Sequence, residues 1–543
     1  MLVLLAFFSL LVTVPGIVAV PPIDRDEARF VQATKQMAES GDYLDIRFQD
    51  QVRYKKPIGI YWLQAAAVAV SGEGASAPIW VYRLVSVLGV LGAVLTLAWA
   101  GARLLGSQAG FVGGLVLATL FACAFEGRVA KTDAMLLFFS VAAQAALGLI
   151  YVAGREGRPI TPGLPWLFWA AQGCGILIKG PITPLLAALT VATIVIFDRD
   201  RRWLRDLRPL PGVLLTLAIA LPWLILITWK SGGAFWSESV GKDLLGKVAS
   251  GEESHGAPPG YYVITYALFY WPFGVLGVAA GLLAMTRAKT DPRLLFCLAW
   301  YIPFWLAMEL VPTKLPHYVL PAYPGLALLA GWASTLVPSP TRDDLWRWQR
   351  WLRLVAAFGH VAVTAGLAAA AMVLPVYVGS GWSFAGFLAA LAVIAAGVLA
   401  FPREIALPAS RIGLAAVSAA IAYALIFWQV LPSIDRMWLS PRIAAAVEAN
   451  KTCDNATLAA VGFHEPSLVF LAGTATQLTD IAGAAAALAA DPRCALVLSP
   501  TSRQAELSAA AASAGAIEAL TTIEGVNYSS GQELSLGLYR VVR

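Results

Sequence analysis

The chain has 543 residues, 59% of them hydrophobic and only 13% charged, about half the charge fraction of an ordinary soluble domain. Such a chain has too few charges to cover a soluble surface, which excludes a soluble globular protein. The formal net charge of +6 sits in short loops between apolar runs, not along one face, and that distribution argues against nucleic acid as a partner.

Apolar runs recur at about the 20-residue length that crosses a bilayer. They are continuous and rich in Leu and Ala instead of alternating. Only helices and closed barrels satisfy the backbone in lipid, so these runs predict a multi-span α-helical membrane protein. The expected spans are roughly 1–20, 79–102, 108–125, 134–154, 164–178, 182–197, 210–229, 261–285, 294–311, 318–337, 353–376, 384–401 and 411–431, about thirteen in all. The first run lacks a basic start and an Ala-x-Ala-like site, so it reads as a retained helix. With a cytoplasmic N-terminus, almost every short basic loop falls inside, from Arg103 through the Arg199–Arg208 cluster to Arg403 and Arg411. An odd count then places the C-terminus outside.

The outside face keeps the unusual charges. The loop 21–78 begins Pro21-Pro22-Ile23-Asp24-Arg25-Asp26-Glu27-Ala28-Arg29, and Phe30, Ala33 and Met37 follow at helical spacing. This predicts an amphipathic helix on the membrane, with Asp24 as N-cap and Glu27 completing a capping box. Asp26 is left over in the first turn, where the helix dipole favours an ionised carboxylate. It reads either as a dipole-compensating charge or as a group that accepts a proton or stabilises a developing sugar cation. Lys55-Lys56-Pro57 precedes an aromatic stretch. Lys56 fits a lipid phosphate or a snorkelling lysine at headgroup level.

Arg128-Val129-Ala130-Lys131-Thr132-Asp133 joins two spans. Asp133 reads equally as a cavity residue or as the partner of Arg128 or Lys131. Lys179-Gly180-Pro181 marks a sharp turn. In the 230–260 loop, Lys242 and Lys247 offer charge for a phosphate, and His255 has Glu252 and Glu253 beside it. No zinc-like spacing is present, so no cofactor is expected, with a divalent metal at His255 the one alternative. Lys314-Leu315-Pro316-His317-Tyr318 is denser in polar groups than a turn needs. Lys314 and Tyr318 suit a phosphate, and His317 suits the cavity wall.

After Leu431 the composition changes. Residues 433–543 alternate Ala-rich helical stretches (about 482–490 and 503–514) with short apolar runs, a pattern expected of a small outside α/β domain that follows the membrane domain 1–432. Cys453 and Cys494 are the only cysteines there. They read as one disulfide in an oxidising compartment or as two separate buried thiols. No Walker-type loop or strand-linked G-x-G-x-x-G is visible, which favours a membrane-bound donor over a nucleotide sugar.

The ordered motifs Asp26-Glu27-Ala28-Arg29-Phe30, Lys56-Pro57-Ile58-Gly59-Ile60-Tyr61-Trp62, Lys131-Thr132-Asp133-Ala134, Lys179-Gly180-Pro181, Lys314-Leu315-Pro316-His317-Tyr318 and Gly462-Phe463-His464-Glu465-Pro466 run over nearly the whole chain. Together they resemble the bacterial aminoarabinose transferases and the wider glycosyltransferase family 39, relatives of the protein O-mannosyltransferases. The resemblance implies a C-type glycosyltransferase fold in a bacterial inner membrane, with the C-terminal domain periplasmic. It implies a polyprenyl-phosphate sugar donor and a lipid A-like or other membrane lipid or glycan acceptor. Asp26 would be the key carboxylate and Asp133 a second catalytic one lining the same cavity, Lys56 and Tyr318 would hold the donor phosphate, and Glu27, His317 and His255 are expected along the cavity wall. A transporter is the rival reading. It predicts an internal repeat and mid-membrane charges, whereas no repeat is visible and the charges gather on one face.

Overall fold

A computed structural model describes residues 1–249 and 256–542. Six helices are long and apolar enough to cross a bilayer: Ile79–Leu104, Asp133–Arg155, Trp203–Lys230, Pro292–Leu310, Arg347–Tyr377 and Ala409–Val430. A seventh span is possible as the pair Tyr261–Phe269 and Gly274–Arg287, bent by 119°. These are the described helices that pass on length and composition, and shorter apolar helices such as Leu2–Thr13 and Ser107–Thr119 lie on other expected runs. Helices Ile182–Phe197 and Phe384–Ala400 cover the expected runs 182–197 and 384–401, whereas proline and glycine cut other runs short.

The first run is the clearest case. Its helix, Leu2–Thr13, stops before Pro15-Gly16. A Cβ on Gly16 would lie 2.5 Å from the Phe427 carbonyl oxygen, so only glycine admits this close approach. Interruptions elsewhere satisfy one another. The break at Trp271-Pro272 leaves the Trp271 carbonyl unpaired within its own chain segment, and it accepts from the Phe121 N–H at 2.9 Å. That N–H is itself freed where helix Ser107–Thr119 gives way to Phe121–Glu126. In a lipid-facing protein such pairing replaces the water that is absent.

The loop after the first helix carries two helices, Asp26–Ser40 and Gly59–Ser71, with a small hairpin of Arg47–Phe48 and Gln51–Val52 between them. The first is amphipathic as expected, burying Ala28, Phe30, Val31, Ala33 and Met37. Its start differs from expectation. The residue before it is Arg25, no side chain caps it, and Asp24 is turned away from it.

Glu27 does not face a cavity. Both of its oxygens are buried against Arg83, at 2.8 Å to Nε and 2.7 Å to Nη2. They also accept the backbone N–H of Ala130 at 2.7 Å and of Ile23 at 2.8 Å. Arg83 spends its other N–H groups on the carbonyls of Ile17, Val20 and Pro21. The expected box does not form: Glu27 reaches Ile23, one residue before the expected N-cap, while the Asp24 N–H goes to Tyr528, and the stronger partner of Glu27 comes from a distant helix.

The C-terminal residues form a five-stranded sheet. Its order is Gln477–Thr479, Leu458–Val461, Leu496–Pro500, Gln532–Val541, Ile517–Asn527. The first three strands are parallel and the last two pair antiparallel. Helices Leu439–Asn450 and Pro466–Ala472 pack with one apolar face and Ile481–Ala490 with the other. Cys453 and Cys494 form a disulfide with Cα atoms 5.6 Å apart.

Removing one partner of a buried, hydrogen-bonded ion pair costs about 3–5 kcal/mol, whereas replacing both by apolar groups is often tolerated. Arg83→Met is therefore expected to lower the thermal midpoint of the detergent-solubilised protein sharply. The double variant Arg83→Met/Glu27→Met should be less destabilised than the sum of the two single variants. Additive losses would show that the pair does not act as a unit.

Candidate active site

Three turns that are far apart in the sequence meet behind the helix Asp26–Ser40. They are Glu126–Asp133, the Lys179 end of helix Gly163–Lys179, and the 3-10 turn Pro316–Ala322. Asp133 accepts from Lys179 Nζ at 2.5 Å and lies 3.6 Å from Lys131. Lys131 in turn lies 3.1 Å from Glu126. The His317 ring sits between the two acids, with Nδ1 3.8 Å from Glu126 and Nε2 3.7 Å from Asp133. Lys179 Nζ also stands 5.2 Å from the centre of the Tyr318 ring. Arg128 does not pair with Asp133. It donates to the carbonyls of Pro15, Ala124 and Val12 and lies over Phe427.

A second group of charges lies on the adjoining wall. Asp243 bridges two lysines, 2.6 Å from Lys56 and 2.6 Å from Lys247. It sits in a π-helical turn, Ser237–Leu245, whose wide pitch is common at functional sites. Burial opposes its charge, but Lys56 and Lys247 outweigh burial and keep its carboxyl below the usual range. Lys56 is pushed down to about 8 by desolvation, which Asp243 partly offsets while Lys247 and Lys179 add repulsion. Lys247 is shifted upward: burial opposes this, and Tyr318 and Asp243 favour the cation.

The rear cluster responds in the opposite sense. Lys131 stays protonated because Glu126 and Asp133 overcome its burial. His317 is held neutral, its titration driven well below the ordinary histidine range by burial and by Lys131, Lys179 and Lys247 against the pull of Asp133. The site thus carries lysines and acids in near balance, with one carboxylate left open. Asp26 is exposed and has no hydrogen bond or ion pair among the described residues. Its field nevertheless reaches Lys131, Tyr61 and Tyr318.

The structure brings together Asp26, Asp133, Lys56, Lys247, His317 and Tyr318. It does not bring in Lys314, whose ammonium is buried and donates to the carbonyls of Glu309 and Val311, closing the end of helix Pro292–Leu310. The expected phosphate contact from Lys314 is therefore replaced by a helix-capping one. Glu27 is likewise spent on Arg83. His255 lies outside the described residues. Sequence reasoning named Lys131 only as a partner of Asp133, which it is at 3.6 Å, and Lys179 only as a turn residue, and it left out Glu126 and Asp243. The spacing of Asp243 and Lys247, four residues apart on a helical turn, was the available signal for the last. Among the described residues no group of three His, Cys, Asp or Glu is placed to hold a metal ion.

Comparison with known proteins bears on the fold and the family likeness. Residues 55–226 match the family model described as dolichyl-phosphate-mannose-protein mannosyltransferase. An undecaprenyl phosphate-alpha-4-amino-4-deoxy-L-arabinose arabinosyl transferase of Aeromonas salmonicida is 25% identical over 384 residues, 67% of each chain. Its counterpart in Pectobacterium atrosepticum is 26% identical over 359 residues, covering 65% of this chain and 61% of that one. ArnT from Cupriavidus metallidurans, solved with undecaprenyl phosphate bound, superposes with a TM-score of 0.75 over 99% of this chain and 98% of its own, at 18% identity. The chain has the ArnT fold. The archaeal oligosaccharyltransferase AglB from Archaeoglobus fulgidus, solved with an inhibitory peptide and a dolichol-phosphate, is a more distant match, with a TM-score of 0.51, 12% identity and 94% of this chain covered.

The likeness to aminoarabinose transferases that the loop motifs suggested therefore holds. In this ArnT-like fold, Asp133 is the hub on which Lys179, Lys131 and His317 converge. Asp133→Asn keeps the shape and removes the charge, leaving the largely buried Lys179 without its counter-ion and Lys131 with Glu126 alone. It is expected to lower stability by about 3 kcal/mol or more, read as a drop in thermal midpoint. An unchanged midpoint would show that solvent screens the cluster.

Proposed function

We propose that the protein transfers a sugar from a polyprenyl-phosphate carrier to a lipid A-like acceptor at the outer face of a bacterial inner membrane. The observation that carries this reading is the gathering of Lys56, Lys247 and Lys179 around Asp243, Asp133 and Tyr318, with the exposed Asp26 carboxylate near enough for its charge to reach Lys131 and Tyr318. The names of the relatives supply the substrate class: they transfer aminoarabinose from an undecaprenyl phosphate carrier.

In this mechanism the lysines bind the carrier phosphate, and Tyr318 donates to it. The bond between the anomeric carbon and the phosphate oxygen breaks, the electron pair leaves with the polyprenyl phosphate, and the fixed cations stabilise that charge. A hydroxyl acceptor gives its proton to Asp26 as its oxygen bonds the anomeric carbon. A phosphate acceptor, already anionic, attacks without proton loss and is oriented from the same side. A single displacement inverts the anomeric centre. Asp243 occupies the place between Lys56 and Lys247 that the carrier phosphate takes, so it is displaced when the donor binds and returns when the spent carrier leaves.

Mass spectrometry of total lipids tests the reaction. Cells lacking the protein, or carrying Asp26→Asn, should lose one glycolipid and accumulate its polyprenyl-phosphate-sugar precursor. Normal lipids in the Asp26→Asn strain would refute the assignment. A second expectation concerns pH. Lys56 is a cation below its titration near pH 8 and loses charge above it. The affinity of the purified protein for undecaprenyl phosphate, followed by tryptophan fluorescence, should fall as pH rises through about 8. Lys56→Arg, which stays charged, should flatten that profile, and an equally steep fall in the variant would assign the titration elsewhere.

A further inference from the structure

The Asp26 carboxylate has no side-chain partner among the described residues, yet the residues around it are held on every side. Immediately before it, Arg25 has a backbone φ of 69° and ψ of −106°, a conformation that costs a non-glycine residue on the order of 1–3 kcal/mol and persists only where its surroundings enforce it. The membrane-side restraint is Glu27, locked to Arg83 and accepting the Ile23 N–H. The restraints on the turn itself come from about 440 to 500 residues further along the chain.

The Asp24 N–H donates to the Tyr528 hydroxyl at 2.7 Å. The Asp24 carboxylate accepts the Ser467 N–H at 3.2 Å. The Arg25 guanidinium lies 3.6 Å from Glu465, and Glu465 is itself held by Asn527 at 3.0 Å. Tyr528 packs edge-on against Trp438, with ring centres 5.8 Å apart. The same unit grips a second strained point of the loop. Gln49, with φ of 53°, reaches the carbonyls of Thr474 and Thr476. Gln32 and Glu39, on the Asp26 helix, both meet the Thr474 hydroxyl. Two of the three non-glycine residues with positive φ among the described residues are thus tied to the C-terminal unit.

We propose that the C-terminal α/β unit is a working part of the active site: Tyr528, with Ser467 and Glu465, clamps the Asp24-Arg25 turn and thereby sets the direction of the Asp26 carboxylate. This rests on the transferase reading above. Tyr528, Ser467 and Glu465 are positioning residues. They act through the backbone of Asp24 and Arg25, and the carrier-binding lysines lie on other elements. The clamp therefore governs the chemical step and not donor binding. A carboxylate displaced by even about 1 Å loses much of the benefit of orientation.

The test compares wild-type protein with Tyr528→Phe, which keeps the ring against Trp438 and removes only the hydroxyl. Transfer from undecaprenyl-phosphate-aminoarabinose is measured alongside binding of undecaprenyl phosphate. Turnover is expected to fall about tenfold, the cost of one well-placed hydrogen bond, with donor KM and carrier affinity within twofold of wild type. Glu465→Gln, which keeps its contact with Asn527 and loses the charge facing Arg25, should give a smaller loss of the same kind. Unchanged turnover in Tyr528→Phe overturns the clamp, and so does a parallel loss of turnover and carrier binding, which would mark a merely structural role. A wild-type protein that transfers no sugar from any polyprenyl carrier overturns the functional reading and the clamp with it.

Discussion

The buried pair of Glu27 and Arg83 is the constraint on which the charged face depends. Arg83 has five N–H donors, and all are used: two on the Glu27 carboxylate and the rest on the carbonyls of Ile17, Val20 and Pro21. Glu27 also binds the backbone of Ala130, one residue before Lys131. A single ion pair therefore joins the end of the first helix, the start of the Asp26 helix, the long helix Ile79–Leu104 and the turn that carries Lys131 and Asp133. Its desolvation is compensated because every lone pair and proton has a partner. The charged site can be open to solvent because this neighbouring pair is not.

The site itself follows from charge balance in a place where water is scarce. Lysines gathered without acids would repel one another or lose their protons. Asp243 separates Lys56 from Lys247, and Asp133 and Glu126 hold Lys179 and Lys131. The arrangement is compensated, each of these lysines having an acid partner. His317, neutral between the two acids, adds a polar wall without adding to the charge.

Part of this was legible in the sequence and part was not. Lys56, Asp133 and Tyr318 stood out because charged or phenolic groups beside apolar runs are expensive unless they face a cavity. The structure gathers all three in one cluster of charged and phenolic groups. Lys314 carried the same signal and proved to be a helix cap, because the carbonyls it satisfies belong to a helix end that hydropathy cannot locate to a residue. Asp24 and Glu27 matched a capping box by spacing, but Ser467, Tyr528 and Arg83 outbid the local backbone. The thirteen apolar runs were read from length and tested by loop charge. The six or seven helices long enough to cross reflect breaks such as Pro15-Gly16 and Trp271-Pro272, whose effect on a long run is settled by what the freed backbone groups can reach.

The sequence by itself determined that the chain is helical and membrane-embedded, since its apolar content leaves no other way to satisfy the backbone. It also determined that the C-terminal residues alternate helix and strand, with Ile481–Ala490 and Leu496–Pro500 close to where periodicity placed them. Both are local properties, set by residues a few positions apart. Tertiary structure alone decided that Lys131, Lys179 and His317 share one cluster, that Asp243 stands between two lysines, and that Tyr528 holds the turn before Asp26. Those pairings join residues tens to hundreds of positions apart. Each depends on the direction of a side chain at a helix end, where a shift of one residue turns the group away by about 100°.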